Sequence, residues 1–244
     1  GEEHPHQLAL TATPIPRSLA MVAYGDLDCS IIDELPPGRQ PVTTTLMDHT
    51  RRDAVKRRVG SACREGRQAY WVCTAIEESD TLDIEAAEAT LDQLQQALPD
   101  VQIGLVHGKL KPAEKAAVMA AFKAGELQLL VATTVIEVGV DVPNASLMII
   151  DNAERLGLAQ LHQLRGRVGR GAVDSHCLLL YRQPLSDTAQ QRLKVMQESH
   201  DGFVIAEADL EIRGPGELLG TRQTGLAGFR IALLPEHEPL LVEA

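Results

Sequence analysis

Short aliphatic runs alternate with longer amphipathic runs through the middle of the chain, and no other feature of the sequence constrains the fold as strongly. The runs typical of strands span residues 42–47, 68–74, 101–106, 127–133, 146–151 and 175–181, and those typical of helices span 51–65, 84–98, 112–124 and 158–167. This spacing predicts helical crossovers between parallel strands. Because runs such as 129–134 lack a period of two, both faces of such strands should be buried. We therefore predict an α/β fold with helices on both faces of a parallel sheet.

The two ends of the chain differ from this middle part. Residues 1–40 contain one short apolar run and several prolines, and no further buried strand is evident after residue 182, where helical segments dominate. We predict an attached segment at 1–40, the α/β domain at 41–183 and a mainly helical element at 184–244. Within the α/β domain, Pro112 should begin a helix, and Gly66 and Gly125 should end helices.

The composition indicates an aliphatic core, since 44% of the residues are hydrophobic but only 3% are aromatic. No apolar run is long enough to span a membrane, and the N-terminus has no signal-peptide pattern. The cysteines are scattered, which favours buried free thiols over a disulfide or zinc framework: Cys29, Cys63, Cys73 and Cys177. We therefore expect a cytoplasmic location, no membrane partner and no metal bound by this chain.

The net charge of −11 would by itself argue against a nucleic-acid partner, but the charge is unevenly distributed. Residues 68–108 contain no lysine or arginine, and their acidic side chains should form one solvated face. Arginines concentrate instead at 51–58, 155–170 and 213–230. A phosphate-binding surface requires only local positive potential, so nucleic acid remains a possible ligand.

The segment 160–170 is the strongest candidate for phosphate chemistry. If it is helical, Gln163, Arg167 and Arg170 fall on one face, next to glycines that leave the surface bare. A guanidinium group that keeps its charge suits a phosphoryl group that gains negative charge during transfer. The alternative is an exposed helix whose arginines pair with carboxylates.

Two further segments follow predicted strands. Residues 131–143 carry hydroxyl, glycine and carboxylate groups that suit phosphate and ribose contacts: Thr133, Thr134, Gly139 and Asp141. The turn 106–109 carries His107 and Gly108 after the preceding strand. Ligands of parallel sheets bind at the carboxyl ends of the strands, so both segments are candidate ligand sites. An ordinary loop and an ordinary glycine turn are the alternatives.

A phosphate-binding P-loop pattern does not occur anywhere in the sequence. Thr11 and Thr13 close a short strand before a proline, where a helix cap is the simpler interpretation. Residues 209–225 end a helical run in a glycine and proline turn, and then present Arg222 and Gln223 on a second glycine-rich loop. Such a loop suits contact with a phosphate backbone or a neighbouring domain, and a plain C-terminal loop is the alternative.

Together these segments resemble the superfamily 2 helicase core, in the bacterial branch that remodels stalled replication forks. Residues 11–13 resemble motif III, residues 131–143 motif V, and residues 163–170 motif VI with its Q-x-x-G-R-x-G-R form. Residues 209–225 resemble the translocation motif that this branch shares with the transcription-repair coupling factor. The resemblance covers nearly the whole chain in the expected order, and it implies a RecA-like lobe followed by a helical translocation element.

The resemblance also implies a role for each candidate residue. Arg167 and Arg170 would act as arginine fingers on the γ-phosphate of ATP, with Gln163, Gly139 and Asp141 near the nucleotide. His107, Gly108, Thr133 and Thr134 would lie along the DNA backbone. The residues that couple nucleotide state to DNA movement would be Thr11, Thr13, Arg213, Arg222 and Gln223.

Motifs I and II and the fork-splitting wedge domain have no counterpart in the sequence, so we expect half of a catalytic site and inefficient ATP hydrolysis by this chain alone. Residues 1–40 would be the tail of the first RecA-like lobe and the connection between lobes. The implied cofactors are ATP and Mg²⁺, with the metal held mainly by the missing first lobe. The implied partners are forked or branched DNA, that lobe, the wedge domain and single-stranded DNA-binding protein.

Two other functions remain open from the sequence. The chain is also compatible with the equivalent lobe of the transcription-repair coupling factor, although the loop at residues 220–225 favours the fork-remodelling branch. The second alternative is a nucleic-acid-binding module without catalytic activity. A small-molecule Rossmann enzyme is disfavoured because no G-x-G-x-x-G turn follows the first strand.

Overall fold

A wholly parallel six-stranded sheet organises the residues described by the computed structural model, which are 41–74, 80–133 and 142–213. Its strands are β1 (Val42–Asp48), β2 (Gln68–Cys73), β3 (Ile103–Val106), β4 (Leu129–Thr133), β5 (Ala145–Ile150) and β6 (Ser175–Tyr181). Their order across the sheet is β1-β6-β5-β2-β4-β3, and every neighbouring pair is parallel.

Six helices accompany the sheet in this part of the chain: α1 (Arg52–Arg64), α2 (Asp80–Ala97), α3 (Pro112–Lys123), α4 (Leu158–Arg165), α5 (Asp187–Glu198) and α6 (Gly202–Arg213). Short 3-10 turns precede α1 and α4, at His49–Arg51 and Ala153–Arg155. The predicted α/β class is confirmed, and the described residues after the last strand are mainly helical, as predicted, up to residue 213.

The two faces of the sheet carry separate apolar clusters. On one face, α1 and α2 pack against side chains that include Trp71 and Ile149. On the other face, α3 to α6 pack against side chains that include Tyr70 and Met148. Each large side chain that becomes fully buried stabilises the fold by about 1.5–3 kcal/mol. Because β2, β4 and β5 have helices on both sides, every one of their residues is buried, which explains their continuous apolar runs.

The predicted helix boundaries hold where proline and glycine set them. Pro112 begins α3, and Gly66 and Gly125 follow α1 and α3 with φ of +88° and +80°. Only a residue without a Cβ adopts such angles without strain.

The prediction for the fourth helix was wrong at its C-terminus. Helix α4 ends at Arg165 rather than at residue 167, and the following amides bond back three residues, from Arg167 to Leu164 and from Val168 to Arg165. Gly169 then adopts a φ of +78°, which turns the chain away from the helix. The expected single helical face of Gln163, Arg167 and Arg170 is therefore absent, because both arginines lie beyond the helix.

The prediction of buried free thiols is confirmed for Cys63, Cys73 and Cys177, while Cys29 lies outside the described residues. Burial raises the pKa of Cys63 to about 11 and the pKa of both Cys73 and Cys177 to about 12. Among the described residues, none of the helices is long and apolar enough to cross a membrane. The same part of the chain contains no cluster of His, Cys, Asp and Glu that would hold a metal ion.

Candidate nucleotide and DNA interface

The carboxyl ends of all six strands meet at one edge of the parallel sheet, and this edge carries the predicted DNA-binding residues that the structure describes. His107 follows β3 and Thr133 ends β4, and the pairing of Val106 with Ala132 places them side by side. Gly108 is exposed, and among the described residues beyond its chain neighbours no atom lies within 4 Å of a Cβ built on it. The side chain of Thr133 is buried, at 4% exposure. Thr134 lies outside the described residues.

The arginine segment, residues 167–171, forms the turn between α4 and β6. Arg170 is exposed, and its Nε donates to the backbone oxygen of Gly166 at 3.1 Å, near the C-terminus of α4. Arg167 is half-buried, and burial followed by the nearby charge of Arg170 lowers its pKa. No described carboxylate lies within ion-pair distance of the Arg167 guanidinium. Gln163 lies on the exposed side of α4.

A second chain segment lies directly against the arginine segment. The pre-β5 segment, residues 142–144, leads into β5 at the amino edge of the sheet, and Val142 is buried there at 1% exposure. A Cβ built on Gly171 would lie 2.4 Å from the backbone oxygen of Pro143, so the two segments approach closely. The predicted nucleotide residues Gly139 and Asp141 precede the pre-β5 segment and lie outside the described residues.

Arg165 was missed by the sequence interpretation, although it lies within the same motif. It is 3% exposed, and its Nη1 donates to the backbone oxygen of Met196 at 2.7 Å and to Thr44 Oγ1 at 3.2 Å. Burial lowers its pKa. The signal was the helical spacing, because Arg165 follows the buried Leu158 and Leu161 by seven and four residues and shares their face.

A buried carboxylate at the end of β5 was also missed. Asp151 is 5% exposed, and its Oδ2 accepts from Arg52 Nε and from Trp71 Nε1, both at 2.9 Å. Arg52 also donates to Gln93 Oε1 at 2.6 Å and to Thr90 Oγ1 at 3.0 Å, and so reaches α2. The Arg52 Cζ lies 5.3 Å from the Trp71 ring centroid. Each of the three guanidinium nitrogens of Arg52 therefore donates a hydrogen bond, and the side chain joins α1, α2, β2 and the end of β5.

Polar contacts extend from Asp151 along the carboxyl edge. Asn152, with φ of +51°, donates from Nδ2 to the backbone oxygen of Thr74 at 2.6 Å and accepts from Arg182 Nε at 2.8 Å. Arg182 Nη2 donates to His49 Nε2 at 2.8 Å, which requires a neutral imidazole. Burial and then Arg182 lower the pKa of His49, and Asp151 opposes them.

The predicted coupling residues are only partly within the described part of the chain. Arg213 is the last residue of α6, which packs against α4 and α5. The contact between α4 and α6 brings the helix before the arginine segment against the helix that leads to Arg213. Thr11, Thr13, Arg222 and Gln223 lie outside the described residues.

The sequence signature of the helicase conserved C-terminal domain matches residues 51–172, which include the arginine segment. The chain therefore belongs to the helicase conserved C-terminal domain family. Within this class it is similar to ATP-dependent DNA helicase RecG, whose domain 3 C-terminal signature matches residues 199–237.

Individual relatives agree with this assignment. The chain is 70% identical over 241 residues to ATP-dependent DNA helicase RecG of Escherichia coli (strain K12). The match covers 98% of this chain and 35% of the relative. It is 65% identical over 239 residues to the protein of that name from Haemophilus influenzae, covering 98% of this chain and 34% of the relative. A solved structure of RecG bound to a three-way DNA junction is 45% identical, with a TM-score of 0.74 over 94% of this chain and 30% of that one.

The chain thus spans about a third of the length of the relatives it matches. The resemblance to superfamily 2 helicases, in the branch that contains RecG, is confirmed.

Proposed function

We propose that this chain is the C-terminal motor lobe of an ATP-dependent double-stranded DNA translocase and helicase that remodels stalled replication forks and branched recombination intermediates. The similarity to ATP-dependent DNA helicase RecG supports this function. The solved relative bound to a three-way DNA junction supports branched DNA as the partner. The longer protein works in the cytoplasm and supplies a first RecA-like lobe, with residues 1–40 as its tail, and a wedge domain.

The observation that carries the proposal is the half-buried guanidinium of Arg167 beside Arg170, with no described carboxylate to neutralise it. A guanidinium whose hydrogen-bond donors remain available suits the oxygens of a phosphoryl group. When ATP is bound between the lobes, it supplies the phosphoryl group, and Mg²⁺ is held mainly by the first lobe. Arg167 and Arg170 then stabilise the charge that develops during transfer, and Gln163, Gly139 and Asp141 bind near the nucleotide.

The carboxyl edge of the sheet binds the DNA backbone in this proposal. His107 and Gly108 are its accessible members, and the bare α-carbon of Gly108 leaves room for a phosphate to approach. Thr134 contacts the backbone as well, while the buried Thr133 positions the end of β4. A protein that follows the phosphate backbone binds without strong sequence preference, as a motor on DNA requires.

Coupling between the two sites runs through residues 184–244, which follow the motor lobe at 41–183. The contact of α6 with α4 supports this assignment, because it joins the helix before the arginine segment to the helix that ends at Arg213. Arg222 and Gln223 couple ATP hydrolysis to movement of the duplex, and Thr11 and Thr13 link nucleotide state to DNA. Single-stranded DNA-binding protein is a further partner at forks.

The test replaces Arg167 with alanine in the longer protein and measures ATP hydrolysis with saturating forked DNA. An arginine finger contributes about 10³-fold or more to turnover, so Arg167→Ala should lower kcat by that order. The matched control is Arg64→Ala, because the exposed Arg64 donates to Asp100 at 2.9 Å and belongs to α1, which packs on the opposite face of the sheet from α4. A change of less than about threefold in Arg167→Ala would instead favour a nucleic-acid-binding module without catalytic activity.

A further inference from the structure

A cluster of side-chain amides at the amino edge of the sheet holds the pre-β5 segment in place. Gln68, the first residue of β2, is 3% exposed, and its Nε2 donates to the backbone oxygens of Phe122 at 2.6 Å and Leu127 at 2.8 Å. Both donor positions of this amide are therefore used, one in the last turn of α3 and one in the loop before β4. Its Oε1 accepts from Asn144 Nδ2 at 3.2 Å. A buried amide with all its groups bonded is held in one orientation.

Asn144 connects this buried amide to the pre-β5 segment. Its Nδ2 also donates to the backbone oxygen of Gly66 at 3.1 Å. The backbone oxygen of Asn144 accepts from the backbone N–H of Gln68 at 3.4 Å. The next residue, Ala145, donates back to Val142 at 3.0 Å. The pre-β5 segment is thus fixed to β2 through Asn144 and to the core through Val142, which is 1% exposed.

Gly171 sets the distance between the pre-β5 segment and the arginine segment. A Cβ at this position would lie 2.4 Å from the Pro143 oxygen and 3.3 Å from its carbonyl carbon. Both atoms are backbone, so they cannot rotate aside as a flexible side chain would. Gly171 has no positive φ, and a substitution there would act through this clash and not through backbone strain.

We propose that Gln68, Asn144 and Gly171 are positioning residues that fix the pre-β5 segment against the arginine segment and so hold Arg167 and Arg170 in place for phosphoryl transfer. This inference rests on the proposed function. Gly171 directly follows Arg170, so the close approach of Gly171 to Pro143 acts directly on the position of the arginine segment. A displacement of about 1 Å at a reacting centre lowers the rate by up to about 10²-fold.

The test compares Asn144→Ala and Gly171→Ala in the longer protein with the control Gln128→Ala. Gln128 forms a similar amide cluster at the same edge. Its side chain donates to the backbone oxygen of Gly125 at 3.1 Å and accepts from the backbone N–H of Gln102 at 2.9 Å, but it does not bond to the pre-β5 segment or to the arginine segment. The measurements are kcat and KM for ATP with saturating forked DNA, DNA affinity without nucleotide, and the thermal midpoint.

We expect kcat and kcat/KM to fall together by about tenfold or more in both variants, because the lost interactions act on the transition state. The DNA affinity of both variants and the thermal midpoint of Asn144→Ala should match those of Gln128→Ala, which keeps full turnover. If both variants keep kcat within about twofold of the control, the three residues are merely structural and the inference is overturned.

Two further outcomes separate the possible failures. If Gly171→Ala does not fold, Asn144→Ala decides the question, because this exposed side chain lies outside the apolar core. If the unmodified protein shows no DNA-stimulated ATP hydrolysis, the proposed function itself fails, whatever the variants do.

Discussion

Arg52 and Arg167 show that the surroundings of a guanidinium group determine its use. The donors of Arg52 are occupied by Asp151, Thr90 and Gln93, so this side chain joins elements of the fold. Arg167 has no described carboxylate partner, and burial lowers its pKa. Burial disfavours the charged form of Arg167, and a bound phosphate group would stabilise that charge. We therefore assign the phosphoryl group of ATP to Arg167 and not to Arg52.

At the same scale, His49 predicts a pH dependence of stability. Its pKa in the folded chain is below the ordinary value of 6.5, first because of burial and then because of Arg182. Between these two pKa values the unfolded chain binds more protons, so folding stability falls as the pH falls through this window. The thermal midpoint of the chain should therefore drop more steeply than that of His49→Gln on acidification from about pH 7 to about pH 5.5.

The comparison with His49→Gln isolates this one group. Burial raises the pKa of Glu154, which has the opposite effect on stability at acidic pH, but Glu154 is present in both proteins and its contribution cancels. Equal slopes of thermal midpoint against pH for the two proteins would show that His49 does not contribute.

At the scale of secondary-structure elements, Arg165 joins α4 to β1 and to the C-terminal turn of α5 through Thr44 and Met196. The last carbonyl oxygens of a helix have no partner within the helix, and Arg165 satisfies one of them. Arg165→Ala should lower the free energy of unfolding by about 2 kcal/mol or more, because a buried carbonyl loses its donor and the side chain leaves a void.

Urea unfolding of the 244-residue chain measures this effect. The control is again Arg64→Ala, since its exposed ion pair with Asp100 is screened by solvent and should contribute little to stability. Equal losses in the two variants would contradict a special role for Arg165 in joining these elements.

At the scale of the whole molecule, the sequence predicted the strands best, because strands buried on both faces have continuous apolar runs. The predicted strand 68–74, for example, differs from β2 by one residue. The order of the strands was not predicted, since it depends on packing between distant parts of the chain. The contact of Arg52 with Asp151 spans 99 residues, and no local pattern indicates such a pairing.

The candidate site was predictable where a motif fixes both residue type and spacing, as for Arg167 and Arg170. The geometry of the site was not predictable, because α4 ends at Arg165 and Gly169, with a φ of +78°, turns the chain, so that both arginines lie beyond the helix. The approach of Gly171 to Pro143 was also hidden, since a close backbone contact leaves no pattern beyond the glycine itself.

The central claim is that this chain carries one half of an ATP-hydrolysing site, and the most direct test is its ATP hydrolysis in isolation and with the missing half. The chain is assayed alone, with forked DNA, and again after addition of the purified P-loop lobe. We expect no turnover by the chain alone and DNA-stimulated turnover on mixing, because the arginines act on a phosphoryl group that the other lobe binds. Robust turnover by the chain alone, or none on mixing, would contradict the account.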